Sequence, residues 1–270
     1  MLKCKYCIIP VLLIALLSVS CANEHNKLLK SNDQDKKYEV AVAALEKKDY
    51  FHASQLFENL LLYYRGRQKA ESVAYYYAQS LLGMKDYYSA GYQFESFYKR
   101  FPYSVNAEEA LYQSAYCKYH QSPEYTLDQT LTKEAIRDFQ TFVDKYPSSP
   151  RVQEANKIMD ELRDKLIQKD YEAAFLYYKT GKYQSAQVMF KMFLNDYPDS
   201  KYRKDVMYYI ILADYELASN SVENKQKARY ETVIADYQKY AASFTDKDKS
   251  KSDKLLNIYN LSRKELEQIK

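Results

Sequence analysis

One pattern of apolar and small residues recurs four times along this chain. It reads KKDYFHASQLFENLL from Lys47, MKDYYSAGYQFESFYKRFP from Met84, LTKEAIRDFQTFVDKYP from Leu131 and TGKYQSAQVMFKMFLNDYP from Thr180. Aligned, the copies share a small residue at Ala53, Ala90, Ala135 and Ala186. Four residues on stand Phe57, Phe94, Phe139 and Phe190, and three further stand Leu60, Phe97, Phe142 and Phe193. Spacings of four and then three place all three positions on one helix face. Tyr50, Tyr87 and Tyr183 precede the alanine by three; Thr132 takes that place in the third copy. Pro102, Pro147 and Pro198 close the last three copies, where proline stops a helix. The segments ahead of the phrases, such as Ala70–Ala78 and Ala107–Ala115, are also apolar at helical spacing.

Each copy therefore predicts two antiparallel helices. The alanine lets two backbones approach, and the phenylalanine one turn along fills the space beside it. Such a pair cannot bury its apolar face alone and must stack on neighbours. Alanine-to-alanine spacings are 37 (53 to 90), 45 (90 to 135) and 51 (135 to 186) residues. The first excess is assigned to an insertion at His120–Leu131 containing Pro123, the second to one long helix over about Pro150–Lys179. A fifth, degenerate unit is expected over Tyr202–Ala218 and Glu223–Ala242, with Ala228 in the small position. After a polar break, Lys251–Ile269 reads as an amphipathic capping helix. Only four glycines and six prolines in 270 residues agree with long helices.

The N-terminus has another pattern. Lys3 and Lys5 precede an apolar run, Ile8–Val19, which ends in small residues and Cys21. That run has the length of a signal-peptide core and falls short of the roughly 20 residues that span a bilayer. Ala22–Lys37 is polar and reads as a flexible tether.

Charge and chemistry narrow the function. Forty Lys+Arg against 36 Asp+Glu give +4, and removing Lys3 and Lys5 leaves +2 on the remainder, too little to argue for a nucleic-acid partner. His25, His52 and His120 are widely spaced, and the four glycines form no phosphate-cradling loop. No catalytic residue, metal site or cofactor is expected beyond a covalent N-terminal lipid. Cys117, inside a helical pattern, reads as a packed thiol. There are 31 tyrosines and no tryptophan, so amphipathic rings must serve both packing and any polypeptide-binding face.

Gly181-x-Tyr183-x-x-Ala186-x-x-x-Phe190…Pro198 and its three relatives resemble the tetratricopeptide repeat. The resemblance implies an all-α fold, a right-handed α-solenoid of about five helix hairpins with a C-terminal capping helix. The expected organisation is a signal peptide (1–20), an acylated N-terminus and tether (21–34), the solenoid (35–245) and the cap (246–270). The leader resembles a bacterial lipoprotein signal, with Ser18 where the lipobox carries leucine and Leu17 one place earlier. By that resemblance Cys21 is the lipidation site, with a diacylglycerol on sulfur and an acyl group on the amine. Together with FPYS, YPSSP, YPDSKY and the long helix, these features resemble the BamD family, lipoproteins of the bacterial β-barrel assembly machinery.

That resemblance implies a non-enzymatic scaffold on the periplasmic face of the outer membrane. Its implied partners are a BamA-like barrel protein with periplasmic domains, unfolded outer-membrane proteins and other assembly lipoproteins. The first helix of each unit is expected to line a peptide groove, with candidates Tyr38, Val42, Tyr75, Gln79, Tyr112, Tyr116, Tyr171 and Phe175. Lys37 and Lys118 are candidates for holding a peptide carboxylate. KYRKDVMYY from Lys201 is a candidate second interface. Two other classes fit the repeats: a carbohydrate-binding surface lipoprotein of a nutrient-uptake system, and a periplasmic cell-envelope coordinator. The lack of tryptophan and the short length argue against the first, and the lack of a coiled-coil arm against the second.

Overall fold

The computed structural model describes residues 24–244 and 248–269, and among them every regular element is helical. The helices are α1 (Gln34–Glu46), α2 (Tyr50–Tyr63), α3 (Ala70–Gly83), α4 (Tyr87–Arg100), α5 (Ala107–Gln121) and α6 (Thr130–Lys145). They continue as α7 (Val152–Lys179), α8 (Tyr183–Asp196), α9 (Arg203–Ser219), α10 (Glu223–Ser243) and α11 (Lys249–Gln268). The described residues form two compact units, one of residues 24–123 and 127–162, the other of residues 124–126, 163–244 and 248–269. Helix α7 gives its residues up to Leu162 to the first unit and the rest to the second.

Hairpin turns follow from a short local code. In KKDY and MKDY the lysine takes a left-handed conformation, Lys48 at φ 60° and Lys85 at φ 62°. Gly181 does the same at φ 72°. In each case the next N–H reaches back five residues: Asp49 to Ala44 O, Asp86 to Leu81 O and Lys182 to Tyr177 O, each near 3.0 Å. This satisfies carbonyls that the helix end leaves open. The aspartate then caps the second helix, Asp49 accepting from His52 N and Asp86 from Ser89 N.

The far ends also share a device. Phe101, Tyr146 and Tyr197 cap α4, α6 and α8, each donating its N–H to the Phe four residues earlier at 2.8–2.9 Å. A proline follows each and keeps that residue out of the α region, so the chain turns. The cap ring folds back onto the phenylalanine, with centroids 5.1–5.9 Å apart.

The repeat positions form the cores. Ala53, Phe57, Ala90, Phe94, Ala135, Phe139, Ala186 and Phe190 are all fully buried. Gly91 shows how close the backbones run: a Cβ there would sit 3.0 Å from that of Cys117. Thr132 stands in the aromatic's place because the insertion supplies polar partners. Its hydroxyl donates to Gln129 Oε1 at 2.7 Å and pairs with Ser122 Oγ at 2.6 Å. In the second unit α11 packs on α9 and α10 through Leu255 and Ile258, and Lys251 bonds Asp205 at 2.9 Å.

Two expectations are corrected. Residues 24–29 are helical, and Leu28 and Leu29 pack on the first core while His25 bonds Gln55 at 2.9 Å. This part of the tether is therefore docked, held by two leucines in an otherwise polar segment. Ala228 is exposed, and α10 packs instead through Tyr230, Val233 and Tyr240. Cys21 and the leader lie outside the described residues.

Candidate functional site

The first unit holds a pocket of about 350 Å³. The end of α3 (Leu82, Gly83), the turn residue Lys85 and the first residue of α4, Tyr87, form one side. Tyr112, Gln113 and Tyr116 of α5 form the floor, and Arg151 and Glu154 at the start of α7 close the other side. Tyr87 stacks on His120 at 4.3 Å with planes 7° apart, and His120 meets Tyr116 edge-on at 4.5 Å. Burial and then the charge of Lys85 lower the His120 pKa, which keeps this ring neutral at neutral pH.

Arg151 sits over the Tyr112 ring at 4.5 Å and bonds Glu109 at 2.7 Å. Gln113 Oε1 is buried with no hydrogen-bond partner, and the Tyr112 hydroxyl, also buried, is directed to Glu154. Burial foremost, and then Glu154, push the Tyr112 pKa up, so its hydroxyl stays a neutral donor. The pocket thus offers aromatic faces and two cations, Lys85 and Arg151, beside the carboxylate of Glu154. That combination suits an aromatic group carrying a carboxylate.

The eight groove candidates divide into two rows. Tyr75, Tyr112 and Tyr171 are no more than 8% exposed, which corrects their assignment to an open wall. Their rings fill the slots opposite phenylalanines of α4, α6 and α8: Tyr75 against Phe97 and Tyr112 against Phe142 at 5.3 Å, and Tyr171 against Phe193 at 6.2 Å. Tyr38 meets Phe57 at 6.4 Å and is half-buried. Val42, Gln79, Tyr116 and Phe175, one turn further along, are also half-buried. Of the eight, Tyr112 and Tyr116 line the pocket. Phe175 lies in a ring stack of the second unit, between Tyr171 and Tyr178.

The carboxylate-holding lysines are also corrected. Lys37 is buried with its amine on Asn59 Oδ1 at 2.6 Å, and Lys118 is paired with Asp138 at 2.5 Å. Lys85 and Arg151 are the cations that line the pocket, and sequence reading missed both. In the Lys201 segment, Lys201 is paired with Asp164 at 2.9 Å. Cys117 is buried, and desolvation pushes its thiol up to about 12, so it is inert.

Stacked helix hairpins built on a repeated alanine and phenylalanine pattern define a helical-repeat protein. The chain belongs to the YfiO family of outer membrane lipoproteins, whose model matches residues 30–229. No curated protein matches the chain. Among solved structures, the tetratricopeptide-repeat domain of P58(IPK) is 14% identical over 90% of this chain and 68% of its own, with a TM-score of 0.42. A tetratricopeptide repeat protein from Parabacteroides merdae is 10% identical over 86% and 100%, with a TM-score of 0.37. Likenesses this distant carry no weight for function.

Proposed function

We propose that this outer membrane lipoprotein is a non-enzymatic scaffold of β-barrel assembly, anchored through acylated Cys21 on the periplasmic face. It works without a cofactor. It binds a BamA-like barrel subunit and receives unfolded outer-membrane proteins through C-terminal segments that end in an aromatic residue. The pocket of the first unit carries this reading. Tyr87 and Tyr116, braced by His120, offer ring surface, and Lys85 and Arg151 offer charge to a terminal carboxylate. Binding at such a site joins burial of one aromatic to charge-assisted hydrogen bonds, two terms that are weak singly and specific together. Purification of the tagged protein from membranes in mild detergent is the test. Co-purification of a barrel protein with periplasmic domains is the expected result. Recovery of sugar-uptake components without such a protein contradicts the proposal.

A further inference from the structure

In the second unit, α8, α9 and α10 enclose a separate cavity of about 170 Å³, lined by Gln184, Gln187, Asp214, Leu217, Arg229 and Thr232. This volume far exceeds the roughly 10–15 Å³ that one water needs. Asp214 is 2% exposed. It occupies a core position of α9, three residues after Ile211 and four before Ala218, both fully buried. One of its carboxylate oxygens accepts from Gln187 Nε2. The other, Oδ2, is buried and receives no N–H or O–H donor of fixed position, but the Asp214 carboxyl lies within hydrogen-bonding reach of the Asp236 carboxyl and can share a proton with it. Once that shared proton is lost, two carboxylates face each other in a buried place, which favours a donor group that brings positive charge.

The surrounding charges favour a cation. Helix α8 contributes Lys191, which is exposed, and α10 contributes Asp236, which already holds Lys239 at 3.2 Å. Arg229 of α10 has its Nη1 on the Leu217 carbonyl at 3.0 Å and on Ser221 Oγ at 2.5 Å. Its guanidinium is thus turned to α9 and the following turn. An anion would meet the carboxylates of Asp214 and Asp236. A neighbouring groove of about 380 Å³ shares Gln184, Leu217 and Arg229 with the cavity, and Glu216 stands in its wall. An alkyl stem can lie against Leu217 there, with its charged head at Asp214.

We propose that this cavity is a binding site for an organic cation, the ammonium or guanidinium head of a lysine or arginine side chain offered by a partner polypeptide. The site is independent of the pocket in the first unit. Burial, joined by Asp236 and opposed by Lys191, raises the Asp214 pKa to about 7. Cation binding therefore requires loss of a proton. Apparent affinity rises with pH through about 7, by about tenfold between pH 6 and pH 8.

The test is calorimetric titration of the full-length mature protein in mild detergent with n-butylguanidinium and n-butylammonium, and with uncharged n-butylurea as control. Saturable binding of at least one cation but not of the urea is expected, about tenfold tighter at pH 8 than at pH 6. Asp214→Asn should weaken it at least tenfold. Leu217→Trp, which narrows the passage and leaves Asp214 in place, should weaken it too, and circular dichroism checks that both variants are folded. A blocked tripeptide with a central arginine should bind at least as tightly as butylguanidinium. No saturable cation binding at pH 8, equal binding by the folded Asp214→Asn protein, or affinity independent of pH overturns the site. Binding of the free cations but not of the tripeptide overturns its assignment to a polypeptide side chain.

Discussion

Replacing Asp214 by asparagine should make the protein more stable at pH 8 and flatten its stability–pH profile. The amide keeps an oxygen for Gln187 Nε2 and removes the ionisable group. In the folded chain the Asp214 pKa stands at about 7, mainly through burial, against an ordinary value of 3.8. Below 3.8 both folded and unfolded states hold the proton. Between the two values only the folded state does, so stability falls as pH rises, by about 1.4 kcal/mol per unit. The loss is complete above about 7 and totals about 4 kcal/mol. Between pH 6 and 8 the Asp214 share is about 1.4 kcal/mol. Urea unfolding of both proteins at pH 6, 7 and 8, followed by circular dichroism, measures it. The wild type should lose about 1.4 kcal/mol more than Asp214→Asn over that range. Parallel profiles, or a variant less stable than wild type at pH 8, would refute the reasoning.

Phe139→Ala removes a fully buried ring that Tyr112 meets edge-on at 5.7 Å, and should cost about 3–5 kcal/mol in urea unfolding. Lys48→Gly relieves a left-handed residue at φ 60° with an exposed side chain, and should stabilise by about 1 kcal/mol in the same assay. Cys21→Ser should move the protein from the membrane to the soluble periplasmic fraction; retention on membranes washed in high salt would count against acylation.

The ladder of alanines and phenylalanines was legible because volume and spacing alone decide it. Only a small residue fits where backbones close, and only a large apolar one fills the space beside it. The tyrosines were not decidable in the same way. A ring with a hydroxyl suits both a core slot and a groove wall, and only the facing Phe97, Phe142 and Phe193 put Tyr75, Tyr112 and Tyr171 inside. The pocket cations escaped notice because Lys85 belongs to a turn motif and Arg151 follows a proline, with no periodicity to tie either to Tyr116. Asp214 left a signal that could have been read, an acid in a stripe otherwise made of Ile211 and Ala218. Leu28 and Leu29 are too few to give a period, so the docked segment before α1 read as tether.

The central claim is that the pocket between Lys85, Arg151 and the tyrosines receives a chain terminus. Fluorescence anisotropy of a labelled peptide ending in phenylalanine, free or amidated at its C-terminus, tests it most directly. Lys85→Gln is the cleaner variant, because Arg151 also holds Glu109. The free carboxylate should bind, and amidation or Lys85→Gln should each weaken binding about tenfold, the loss of roughly one charge-assisted hydrogen bond. Equal affinity for free and amidated peptides, unchanged in Lys85→Gln, would contradict it.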